Sequence, residues 1–168
     1  MKRIFFFLPI LLFAFCQPNE ENHHGSRDKK TTNTNDTALK TGWYYLSDSA
    51  SGVLRKMYKD TTQKRYYVNP NPILTVADFS SVELREYPRD PNHYLLAIKF
   101  DDQGKESWRV ATRNSISKPL GLIIDNVLIE CPIVQSEIVA GISALNRGDL
   151  TKDELLNFQK AIQAEMKK

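Results

Sequence analysis

The side chains best suited to chemistry in this chain are few and scattered. His93 stands three residues after Asp90, a spacing that suits an acid–base pair on one surface. Asp101-Asp102, Glu83 with Glu86, and Asp125 with Glu130 are further carboxylates for proton transfer. None is joined to a nucleophile by a recognisable pattern. Gly-x-Ser-x-Gly, His-Glu-x-x-His and a phosphate-binding loop are all absent from the sequence. Charged residues at turns and helix caps are ordinarily solvated, so no enzymatic activity is expected. His23-His24 has no third ligand nearby, and Cys131 has neither a His nor a second Cys beside it. No metal or cofactor is expected, and Cys131 reads as a small buried hydrophobe among Leu128, Ile129, Pro132 and Ile133.

Cys16 is different. Lys2 and Arg3 precede an almost unbroken apolar run from Ile4 to Cys16, the pattern of a secretory signal. As a helix the run would span roughly 20 Å, short of the about 30 Å of a bilayer core. It closes as Leu12-Phe13-Ala14-Phe15-Cys16, which resembles a bacterial lipobox. In that motif the thiol is acylated and becomes the first residue of the mature chain. Ala14 and Cys16 fit the motif, and the bulky Phe15 departs from it. Acyl chains add about 0.8 kcal/mol per buried CH₂, so two or three would hold the protein on a membrane. The expected division is a signal peptide over 1–15, a lipidated Cys16 (palmitate or a similar chain) with a disordered tether over 16–41, and a folded domain over 42–168. The tether is rich in Asn, Thr, Lys, Asp and Glu, and such a segment cannot offset its ordering entropy by burial.

Composition narrows the partners. The 168 residues are 41% apolar and 26% charged, with a formal net charge of +3. That excludes a wholly disordered chain, and it gives no reason to expect nucleic acid. Two Cys exclude a disulfide-stapled miniprotein.

The elements that must carry any site follow from periodicity. Trp43 to Leu46, Val53 to Tyr58, Arg65 to Val68, and Val82 to Tyr87 read as strands. Asn69-Pro70-Asn71-Pro72 and Arg89-Asp90-Pro91-Asn92 are expected to break the chain. His93 to Phe100 alternates cleanly, with Tyr94, Leu96, Ile98 and Phe100 on one side. Asp102 is the expected N-cap of a helix carrying Trp108, Ala111, Thr112, Ser115 and Ile116 on one face. Leu120 to Ile124 reads as a strand buried on both faces. Asp125-Asn126 suits a two-residue hairpin turn into Val127 to Cys131. Ile138 to Leu145 fits either a strand or a short helix. Thr151-Lys152-Asp153-Glu154 is a capping box, and Leu155, Phe158, Ile162 and Met166 repeat at helical spacing. The sum is an α+β domain: an antiparallel or mixed sheet with two main helices packed on it.

This order of words resembles the head subdomain of the periplasmic region of SecD and SecDF, accessory membrane subunits of the Sec protein-export machinery. The similar phrases are Gly42-Trp43-Tyr44-Tyr45-Leu46-Ser47-Asp48, then Leu95 to Phe100 with Asp102-Gln103-Gly104, then Trp108 with Ala111-Thr112. Leu120 to Ile129 with Pro132-Ile133-Val134 follows, and Gly141, Gly148 and the Thr151-capped helix close the series. Asn126 stands where the family usually has a turn Gly, and Ser136-Glu137 where Glu-Pro is common. The resemblance implies a SecDF head-like fold and a role in protein transport, by contact with an exported, unfolded polypeptide or another envelope protein. It does not imply motor activity, because the proton-conducting membrane helices of those proteins have no counterpart here. Trp43, Tyr44, Tyr45 and Tyr94 are the aromatics expected to line the contact surface. A binding module of the cell envelope, lipid-anchored at the outer membrane or periplasmic face, is thus the expected function. A structural adaptor subunit of an envelope complex is the alternative.

Overall fold

Strand Gly42–Ser47 (β1) organises the molecule, because it hydrogen-bonds on both sides and has both faces covered. The computed structural model describes residues 37–48, 51–87 and 90–168. The signal peptide, Cys16 and most of the expected tether lie outside the described residues. After β1 come Val53–Lys56 (β2), Arg65–Thr75 (β3), a short 3₁₀ turn Val76–Asp78, Phe79–Tyr87 (β4) and Asp90–Phe100 (β5). Helix Asp102–Asn114 (α1), strands Leu120–Ile124 (β6), Val127–Glu130 (β7) and Ile142–Leu145 (β8), and helix Lys152–Met166 (α2) complete the order.

The strands form two antiparallel sheets where one was expected. The first has the order β2-β3-β1-β6-β7 and the second β4-β5-β8. The first sheet also curls. Met57 bridges to Leu128, and the Tyr58 N–H donates to the Leu128 carbonyl at 2.7 Å, so the end of edge strand β2 meets edge strand β7. The curl encloses one small core of Leu39, Tyr44, Val53, Val68, Ile123 and Leu128. The opposite face of the same sheet carries Trp43, Leu74, Leu120, Leu122, Ile124 and Ile129 into the main core, with the second sheet and both helices. Because β6 serves both cores, all five of its residues are buried, as its continuous apolar run predicts.

Local signals mostly hold. Asp125 and Asn126 both take positive φ (48° and 65°), the backbone a tight hairpin needs. Thr151 and Glu154 form the reciprocal capping box of α2. Leu155 and Ile162 of that helix are buried, and Phe158 and Met166 pack beside them. Residues 142–145 are a strand. Four local expectations are corrected. Asp101, not Asp102, caps α1, its side chain accepting from the Gly104 N–H at 2.7 Å. Ile116 falls past the last turn of α1 and is 49% exposed. β5 already begins at Asp90, with Asn92 at φ 79° where the ladder to β4 shifts register. The Asn-Pro-Asn-Pro segment does not break the chain but continues β3. β2 pairs only with residues 65–68, and the ladder to β1 slips around Pro72, so the prolines sit where no ladder bond is lost.

The start of the domain is also corrected. Leu39, expected in the tether, is buried in the enclosed core, and its N–H donates to Asn126 Oδ1 at 2.9 Å. Arg55 donates to the Thr37 carbonyl at 2.7 Å, and Tyr44 OH to the Lys40 carbonyl at 2.7 Å. Residues 37–41 therefore belong to the folded domain.

Candidate functional site

An apolar cleft lies between α1 and the irregular segment that follows β7. Trp108 and Leu120 line it from the fold side, and Pro132, Ile133, Val134 and Ile138 from the segment side. Its volume is about 230 Å³. On its rim Ile133 is 57% exposed, and farther along the same segment Val139 is 60% exposed. A large exposed β-branched side chain at the mouth of an apolar cleft has no packing role of its own, which makes the cleft a contact candidate.

The segment is not loose. The Ser117 N–H donates to the Val134 carbonyl (2.8 Å), and the Val134 N–H to the Lys118 carbonyl (3.0 Å). The Thr112 hydroxyl accepts from the Ile138 N–H at 3.0 Å while donating to the Trp108 carbonyl at 2.9 Å. Arg109 spans the gap, donating to Glu137 at 2.7 Å and also pairing with Glu106 on its own helix. The two carboxylates push the Arg109 guanidinium pKa up, and Arg109 holds the Glu106 carboxyl below its ordinary range. One face of α1 thus supplies the floor, the clamp and the hydroxyl that fix the cleft.

Trp108 is the anchor of the floor. Its ring packs 4.8 Å from that of Trp43 and 5.5 Å from that of Phe100. Its Nε1 is buried and has no acceptor among the described residues. An unmet buried donor costs about 1–3 kcal/mol.

The four expected aromatics do not share a surface. Trp43 and Tyr44 are each 1% exposed, which corrects their expected place on a contact surface. β1 is covered on both faces, so successive residues enter the two cores. Trp43 Nε1 donates to Ser143 Oγ at 3.1 Å, and burial pushes the Tyr44 phenol up. Tyr45 is 36% exposed, in a second cleft with Ser115, Lys118 and Pro119. Pro119 bridges to Ile133, so Tyr45 lies next to the apolar cleft. Tyr94 is elsewhere, half-buried on β5 beneath the Lys152 ammonium, 4.5 Å from its ring centroid.

His93 and Asp90 stand 3.8 Å apart on the surface, with His93 Nε2 against Asn146 Oδ1 at 2.6 Å. They lie outside the cleft. Cys131 is half-buried against the enclosed core, and burial pushes its thiol up to about 12. Its neighbour Glu130 is buried, and desolvation raises its carboxyl to about 8. The nearby Arg147 does not cancel that rise, because its guanidinium donates to the Tyr58 and Ile129 carbonyls and to Asp149.

The model for SecDF, P1 head subdomain, matches residues 53–164. The chain belongs to this family. The match takes in β2 to α2, and so the whole cleft of the head domain, while the Gly42–Asp48 phrase precedes it. Protein translocase subunit SecD of Endomicrobium trichonymphae is 20% identical over 98 residues, which is 58% of this chain and 20% of that protein. The chain thus spans about a fifth of that relative's length. Two solved structures share the fold. SecDF in a super-membrane-facing form is 14% identical with a TM-score of 0.58, over 73% of this chain and 18% of that one. A SecDF described as a membrane component that enhances protein export is 13% identical with a TM-score of 0.58, over 76% of this chain and 64% of that one. Among the described residues no helix is long and apolar enough to cross a membrane.

The sequence reading missed Ile133, Ile138 and Val139. Their signal was an apolar-rich stretch, Pro132 to Ala140, with neither helical nor strand period. Such a stretch either plugs a core or forms a contact, and only the fold tells which.

Proposed function

We propose that this head domain is a non-enzymatic binding module of the cell envelope, held to a membrane through acylated Cys16, that contacts unfolded segments of exported polypeptides. The observation that carries the reading is the fixed apolar cleft, with exposed Ile133 at its rim and Trp108 in its floor. An extended peptide supplies what the cleft lacks: apolar side chains to cover the rim. Clamping by Arg109 keeps the ordering cost of binding low. Membership of the SecDF head family and the export role stated for one relative support the choice of a polypeptide partner. The membrane anchor rests on the Lys2-Arg3 start and the run to Cys16.

A photo-crosslinking residue at Ile133, expressed in cells, tests the contact. Many exported chains should be captured during export, and few when secretion is blocked. One stable partner under both conditions would instead make the domain an adaptor. Intact mass of the membrane-extracted protein tests the anchor: an N-terminal Cys16 with acyl chains is expected, and an unmodified chain contradicts it.

A further inference from the structure

The β2–β3 hairpin concentrates positive charge that the fold leaves unanswered. Lys56 and Arg65 are direct cross-strand partners, and both are exposed. Like charges placed opposite each other weaken a ladder. No carboxylate among the described residues pairs with either. Arg55, next to them, spends its guanidinium on neutral acceptors, the carbonyls of Leu54, Thr37 and Asn126 and the Asn126 side chain. Lys64 lies over the Tyr66 ring at 5.0 Å. Asp60, the carboxylate of the intervening turn, is engaged by Thr62 at 2.7 and 2.8 Å. A shallow cavity of about 390 Å³ is lined by Leu54, Arg55, Lys56 and Arg65. Asp60 answers Lys64 within the turn, and the fold thus leaves the Lys56–Arg65 pair as an anion-receptive surface without a carboxylate among the described residues.

Its position says which anion. Thr37 is the described residue nearest to Cys16 in the chain, and its carbonyl is held by Arg55. The hairpin therefore contacts the end of the described domain that leads toward Cys16. Half-buried Leu54 and Tyr67, paired across the same two strands, add an apolar element beside the cations. Cations with a small apolar and tyrosine component suit the headgroup layer of an anionic bilayer. We propose that the β2–β3 hairpin docks on anionic phospholipid headgroups through Lys56 and Arg65. This second contact sets the domain's posture on the membrane that the acyl chains hold, and leaves the apolar cleft to the polypeptide. It rests on the anchored reading for its geometry, but not for its chemistry.

The test uses the mature protein extracted from membranes. Fluorophores are placed on Thr61→Cys in the hairpin turn or Ser136→Cys at the cleft. Each protein is mixed with vesicles of phosphatidylcholine, with or without phosphatidylglycerol, carrying a headgroup quencher. Quenching is expected at position 61 in anionic vesicles, with little at 136. It should be relieved by salt and by Lys56→Gln with Arg65→Gln, while the thermal midpoint stays unchanged. Equal quenching at both positions, or indifference to phosphatidylglycerol, overturns the proposal. A protein that ignores neutral vesicles refutes the acyl anchor and still tests the hairpin. It should then bind anionic vesicles alone, about 20-fold more weakly after the double substitution. Binding of inorganic phosphate or an RNA oligonucleotide at the hairpin, without vesicle binding, also overturns it.

Discussion

The cleft beside α1 and the β2–β3 hairpin are opposite solutions to presenting a surface. The cleft is lined mainly by apolar side chains, and the charges beside it serve as ties: Arg109 to Glu106 and Glu137. At the hairpin the charges are outermost, and nothing in the described fold neutralises Lys56 or Arg65. The difference shows where the fold spends its polar pairs. It uses them to hold an irregular segment still, and withholds them where a soft anionic surface can complete the set.

The comparison is broken most forcefully through what lies beneath each surface. Glu130 sits under the end of β7, where the segment forming the cleft begins. Its folded pKa of about 8 stands above the ordinary 4.5, so the folded state holds a proton that the unfolded chain has released. Its contribution is therefore complete below about pH 4.5 and is lost as pH rises toward 8, at up to about 1.4 kcal/mol per pH unit. Urea unfolding across this range should show that slope, and Glu130→Gln should flatten it and be the more stable protein at pH 9. A slope unchanged by the substitution would place the titration elsewhere.

Trp108→Ala should remove the cleft floor and cost about 3–5 kcal/mol. Trp108→Phe keeps an aromatic floor and removes the unmet donor, so it should cost less than Trp108→Ala and leave peptide binding nearly unaltered. Denaturation and titration of the two variants separate floor from donor. Leu39→Ala should cost about 2–5 kcal/mol if residue 39 closes the enclosed core, and close to nothing if it belongs to a tether. Arg109→Ala should leave the midpoint of unfolding little changed but speed amide exchange at Val134 and Ile138, whose N–H groups fasten the segment. The smallest effect is on the hairpin side, where Lys56→Gln with Arg65→Gln should alter stability by less than about 0.5 kcal/mol.

Much of this fold is legible in the sequence where the signal is local. Asp125-Asn126 can hardly be anything but a tight turn, Thr151 with Glu154 caps a helix, and Leu120 to Ile124 reads as a strand buried on both faces. What is not legible depends on partners far along the chain. Pro70 and Pro72 continue a strand only because β2 stops short of them. Trp43 and Tyr44 are interior only because β1 takes the centre of a curled sheet. Leu39 is a core residue only because Asn126, far away in sequence, accepts its N–H. The cleft shares that limit. Trp108 and Thr112 were visible as one helix face, but the residues opposite have no period to announce them. Of the four expected contact aromatics, Tyr45 lies exposed beside the cleft and Trp43 lies buried against its Trp108 floor.

The central claim is that the cleft binds extended apolar polypeptide. The most direct measurement is a fluorescence titration of the full mature chain with a reduced, alkylated, permanently unfolded protein, reading Trp108 and Trp43. Saturable binding is expected, weakened at least about tenfold by Ile133→Asp with Val139→Asp and left unaltered by Lys56→Gln with Arg65→Gln. Binding that survives the Asp pair, or that follows the hairpin cations instead, would contradict the account.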